Sequence, residues 1–89
     1  MSPDWKRFPV SKYLDHIGQT RHELERWEAI FRQRAEENTR TAQTHRDAHE
    51  EASARRRTEL AKEQIVCADN LHKIAHLLSD SFELLLGCM

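Results

Sequence analysis

Eighty-nine residues make one small domain, which buries a modest share of its surface and stays marginally stable unless something adds to its core. Fourteen basic and 15 acidic side chains leave a formal net charge of −1, a field too weak for strong nonspecific attraction to nucleic acid or anionic lipid. No apolar run approaches the roughly 18 residues that a membrane span needs, so the expected supplement to the core is a homodimer or a higher helical oligomer, not a bilayer.

In chain order, Ser2-Pro3-Asp4-Trp5 reads as a helix start, with serine as cap, proline at the first helical position and an acid in the first turn. Pro9 ends that segment, Ser11 can cap a second one carrying Tyr13, Leu14 and Ile17, and Gly18 closes it. Residues 1–19 therefore read as a folded-back helical arm. Its aromatics Trp5 and Phe8 are the candidates for docking onto a protein partner, because such side chains dominate binding energies.

Residues 20–87 read as one long helical, coiled-coil region. From Gln19 to Leu86 there is neither glycine nor proline, and between Arg32 and Glu59 no large apolar residue occurs. Thr20 and Glu23 have the spacing of a capping box, which predicts the helix start at Thr20. Leu24, Trp27, Phe31, Ala35, Asn38, Ala42 and His45 then follow the alternating three and four spacing of a coiled-coil seam. In the second half Gln64, Leu71, Leu78 and Leu85 form one column and Leu60, Cys67, Ile74 and Ser81 the next, with Ala54, Ala61, Ala68 and Ala75 repeating beside them. A stripe so broad is bundle packing, with more than one neighbour to satisfy.

Antiparallel pairing of the halves sets Leu24 against Leu78, Trp27 against Ala75, Phe31 against Leu71, Ala35 against Cys67, and Asn38 against Gln64. That register serves two topologies, a hairpin turning near His49 to Ser53 or two straight helices paired in a dimer. Glu50, Glu51 and Ala52 offer no residue suited to a positive φ, which favours the continuous helix. The fold expected is all-α, a long antiparallel hairpin or an antiparallel coiled-coil homodimer with a short helical arm, whose seam residues are Leu24, Trp27, Phe31, Leu60, Cys67, Leu71, Ile74, Leu78 and Leu85.

Little in this pattern carries chemistry. The two glycines stand apart at Gly18 and Gly87, so no phosphate-cradling loop is present, and no GxSxG elbow occurs. Cys67 and Cys88 form no CxxC pair, which with the lack of a signal sequence points to a reducing, cytoplasmic setting. Six histidines include the pair His72 and His76 at i, i+4, a weak metal candidate that falls on the outer face of the register. No cofactor and no catalytic residue is expected.

Arginine outnumbers lysine ten to four. On a straight helix Arg21, Arg32, Arg46 and Arg57 lie within about 20° of one line, and Arg55, Arg56 and Arg57 form a cluster. Such a line could follow the phosphates of a nucleic-acid duplex by shape, yet Glu28 and Glu50 share the face and offer i, i+4 partners. The leading expectation is a non-enzymatic adaptor, chaperone-like or regulatory protein acting through protein contacts, and the second a dimeric binder of double-stranded nucleic acid.

Overall fold

The computed structural model describes residues 8–88, which form two α-helices, α1 (Val10–Asp47) and α2 (Glu51–Leu86), packed antiparallel as a hairpin. The proposed docking residue Trp5 and the helix start at Ser2 lie outside the described residues. The expected short arm does not end at Gly18: α1 begins directly after Pro9 and runs through Gly18 and Thr20 without a break. Thr20 is therefore mid-helix, and its hydroxyl donates to the carbonyl of His16 at 2.9 Å instead of capping. A capping box needs a break before it, and the His16 to Gln19 turn, free of proline, supplies none.

The continuous straight helix is overturned by a turn at residues 48–50. His49 takes a φ of 60°, its amide donates to the carbonyl of Arg46 at 3.0 Å, and the Glu50 amide reaches the carbonyl of His45 at 2.7 Å. These two bonds make a Schellman ending, with histidine in the left-handed position that glycine usually takes. The His45 ring and the Glu50 carboxylate, 2.9 Å apart, clasp the same turn. His45 and Arg46 complement the C-terminal dipole of α1, as Glu51 does the N-terminus of α2.

The middle of the chain packs through small residues. The fully or nearly buried apolar side chains are Leu14 and six alanines, Ala35, Ala42, Ala54, Ala61, Ala68 and Ala75, and alanine lets two helix backbones approach closely. Asn38 is buried among them and donates to Gln64 at 2.8 Å, which fixes the antiparallel register where the sequence put it. Leu24, Phe31, Leu71, Leu78 and Leu85 are half-buried along the same seam, as are Ile17 and Phe82. Threonines that disfavour helix are accommodated by bonding back one turn, as Thr39 does to Ala35 and Thr58 to Ala54.

One column on each helix departs from expectation by a single residue. Trp27 is 45% exposed, and the seam position beside it belongs to Glu28. Leu60, Cys67 and Ile74 are exposed too, and the buried column of α2 is Ala61, Ala68 and Ala75. The large side chains thus lie beside the helix–helix seam, not in it.

Candidate functional site: two unlike faces of the hairpin

Strict heptad spacing along α1 (Leu14, Arg21, Glu28, Ala35, Ala42) and α2 divides the hairpin into two flanks, one on each side of the seam. In an antiparallel pair the same flank of both helices lies on the same side, so each face is built jointly.

One face is polar and clasped. Arg32 donates to Glu28 at 2.9 Å and to Asp69 on the other helix at 3.1 Å, and the same Glu28 meets the Nδ1 of His72 at 3.2 Å. Glu28 is largely withdrawn from water at the seam, which pushes its pKa up, but the hydrogen bonds and charges of Arg32 and His72 outweigh this and hold it below its ordinary value. The Glu28 hydrogen bond, then that of Asp69, stabilises the charged form of Arg32 in return.

The arginine line takes part in the same clasping. Arg21 donates to Ser79 at 3.2 Å, Arg46 to Thr58 at 2.9 Å and Arg57 to Asn38 at 3.0 Å. With Arg32 on Asp69, all four guanidinium groups bridge the two helices. They do not form one line along a rod, since the turn at His49 places Arg57 on the returning helix. Of the expected acidic partners, Glu28 pairs with Arg32, whereas Glu50 pairs with His45 instead of Arg46. Arg55 and Arg56 are exposed at the turn end. His72 and His76 are both exposed, and among the described residues no cluster of three or more potential ligands could hold a metal ion.

The opposite face is apolar. On α2 the exposed Leu60, Cys67, Ile74, Leu77 and Leu84 stand at alternating seam-like intervals with Glu63, Asn70 and Ser81 between them. Leu77 and Leu84 are 64% and 76% exposed, unusual for leucine on a folded helix. On α1 the same flank carries Tyr13, Trp27 and Ile30, with Trp27 level with Ile74 in the observed register and its ring 6.2 Å from that of Phe31. Phe8 stacks on Tyr13, ring centres 5.1 Å apart, which extends this face at the end remote from the turn.

By spacing alone Trp27, Leu60, Cys67 and Ile74 belong to the same seam as Leu71 and Leu78. Their common three and four spacing was the signal that two seams share α2, one for α1 and one still unpartnered. No helix among the described residues is long and apolar enough to cross a membrane. Comparison with family models, curated proteins and solved structures finds no match to this chain.

Proposed function

We propose that this chain is a non-enzymatic helical interaction protein, an adaptor, chaperone-like or regulatory factor of the cytoplasm that works through oligomeric bundle surfaces. The observation that carries the reading is the apolar flank around Trp27, Ile74, Leu77 and Leu84, which gathers most of the exposed large apolar side chains of the hairpin, Ile65, Val66 and Leu86 lying off it. Its six largest side chains leave on the order of 500 Å² of apolar surface in water, at the upper end of what a monomer carries without a partner. Aromatic and leucine side chains at seam spacing are what a second helical surface covers.

The test is a photoreactive amino acid placed at Leu77, on the apolar flank, or at Glu36, on the polar one, in cells that produce the protein. Adducts with protein, whether a second copy or another chain, are expected from position 77 and not from position 36. Equal labelling from both, or none from either, removes the reading.

The rival, a dimeric binder of double-stranded nucleic acid, draws its support from Arg55, Arg56 and Arg57 near the turn. It requires Arg21, Arg32, Arg46 and Arg57 to leave their bonds across the hairpin before they can meet phosphate. An electrophoretic shift with duplex RNA or DNA that weakens steeply with salt and is reduced by Arg55→Ala and Arg56→Ala would favour it over the protein-binding reading.

A further inference from the structure

Resting on that protein-binding reading, we infer that the occupant of the apolar flank is a second copy of this chain, laid face to face and antiparallel to make a four-helix bundle. The first support is what the hairpin lacks. Among the described residues its buried apolar side chains are one leucine and six alanines, no large side chain is fully buried, and the leucines and phenylalanine of the seam are only half-buried. A buried CH₂ is worth about 0.8 kcal/mol, so methyl groups contribute far less than the leucines, isoleucine and tryptophan left outside. Both helices are regular to their ends, and the missing core sits on the chain's own surface.

The second support is self-complementarity. A two-fold axis across the rods, passing between Trp27 and Ile30 on α1 and between Asn70 and Ile74 on α2, sets each helix against its own copy in the antiparallel sense. One register on each helix then brings Trp27 level with the partner's Ile30, Leu60 with the partner's Leu84, and Cys67 with the partner's Leu77. The same axis sets Arg34 level with the partner's Glu23, twice by symmetry. Glu37 and Glu63 come level with the partner's Thr20 and the partner's Ser81, so no like charges meet. The two helices place the axis at nearly the same height on the hairpin, within roughly 2 Å at 1.5 Å of rise per residue, an agreement their separate sequences did not have to give.

A two-fold axis along the rods is the alternative, and it fails on charge and size. It sets Glu37 level with the partner's Glu63, doubled by symmetry, and leaves Leu77 facing the partner's Glu23 and Leu60 facing the partner's Thr41. Like charges and unpaired leucines both count against an interface. The flank also suits a protein surface of equal length better than a lipid one, since Glu23, Arg34, Glu37, Arg56 and Glu63 lie along it without the basic rim of a membrane-bound helix. With those polar neighbours the covered area approaches the roughly 800 Å² per partner of a standard interface.

Sedimentation equilibrium gives the first test. The 10.5 kDa chain is expected at twice that mass at micromolar concentration, Leu77→Glu at the single mass with its helical circular dichroism retained, and Ile65→Glu on the polar side unchanged. A monomeric wild type, or a Leu77→Glu protein that stays dimeric, overturns the second copy. Photo-adducts from position 77 with other chains alone would then leave the broader protein-binding reading standing, whereas no adducts at all would remove both. Orientation is read from a spin label at Glu51→Cys in a Cys67→Ser, Cys88→Ser background. The antiparallel bundle places the two labels about 60 Å apart, at 1.5 Å of rise per residue, and the alternative places them within roughly 25 Å. The short distance overturns the proposed axis.

Discussion

Asn38 and Gln64 meet through a single hydrogen bond of 2.8 Å in the stretch of the seam that holds Ala35 and Ala42 on one helix and Ala61 and Ala68 on the other, and Arg57 donates to the same Asn38 from the side at 3.0 Å. A polar pair in a small-residue seam fixes register, because sliding either helix by one heptad would leave a buried amide facing a methyl group. Asn38→Leu alone is expected to lower stability by about 1–2 kcal/mol, since Gln64 and Arg57 both lose their partner. Asn38→Leu with Gln64→Leu is expected to recover that loss or exceed it, while disulfide trapping between engineered cysteines begins to report more than one register. Urea denaturation reads the first effect and the pattern of trapped pairs the second. A double variant less stable than Asn38→Leu would mean that the amide pair contributes more than its register.

That pair was legible in the sequence, because an amide column stands out among alanines and charges. So was the antiparallel register, which the bond between Asn38 and Gln64 matches. What the sequence concealed was a choice between neighbours. At residues 27 and 28, 60 and 61, 67 and 68, and 74 and 75, a large apolar side chain adjoins a small or charged one, and size suggested that the large one faces the seam. The spacing of Leu14, Arg21, Glu28 and Ala35 favoured the other neighbour, but only if a glutamate and an arginine are allowed inside. Glu28 is tolerated there because Arg32 and His72 both bond its carboxylate. The turn was hidden for a related reason: its positive φ falls on His49, a residue that does not advertise it.

His49 carries a backbone conformation that costs an L-residue roughly 1–2 kcal/mol. Glycine avoids that cost but loses entropy of its own on folding, so His49→Gly is expected to raise stability by about 0.5–1 kcal/mol. His49→Val, branched beside the backbone, should lower it by more than 1 kcal/mol. Thermal melts of the three proteins give the ranking. If valine were tolerated as well as glycine, the Schellman ending would not be what closes the hairpin.

Ala68 is fully buried in the seam, and Ala35 on the other helix is nearly so. Ala68→Leu has no space to enter without driving the helices apart, and should cost about 1–3 kcal/mol. Leu77, more than half exposed, has little to lose within one chain. A seam of this kind predicts that enlarging an alanine is worse than trimming a leucine, the reverse of an ordinary core. Denaturation of Ala68→Leu and Leu77→Ala under conditions that hold both monomeric would show it.

Glu28 gives the hairpin a dependence on acid. Its folded pKa lies below its ordinary value because the bonds from Arg32 and His72 outweigh partial burial. A group whose pKa is depressed by folding binds a proton more readily when unfolded, so its contribution is complete above the ordinary carboxylate value and is lost as pH falls through the lower folded one. The melting temperature is therefore expected to fall as pH drops below about 4.5, the ordinary value for glutamate. Glu28→Gln should melt lower than wild type at pH 7 and approach it at pH 3, because protonation has by then removed from the wild type the ion pairs that the variant lacks. Asp69→Asn should lower the melting temperature at pH 7 by less, since it takes the charge from one of the two acceptors of Arg32 and leaves Glu28 in place. A Glu28→Gln protein that kept the full acid dependence of wild type would place its origin in other carboxylates. The clasp joining Glu28, Arg32, Asp69 and His72 would then be a surface arrangement with no measurable hold on the two helices.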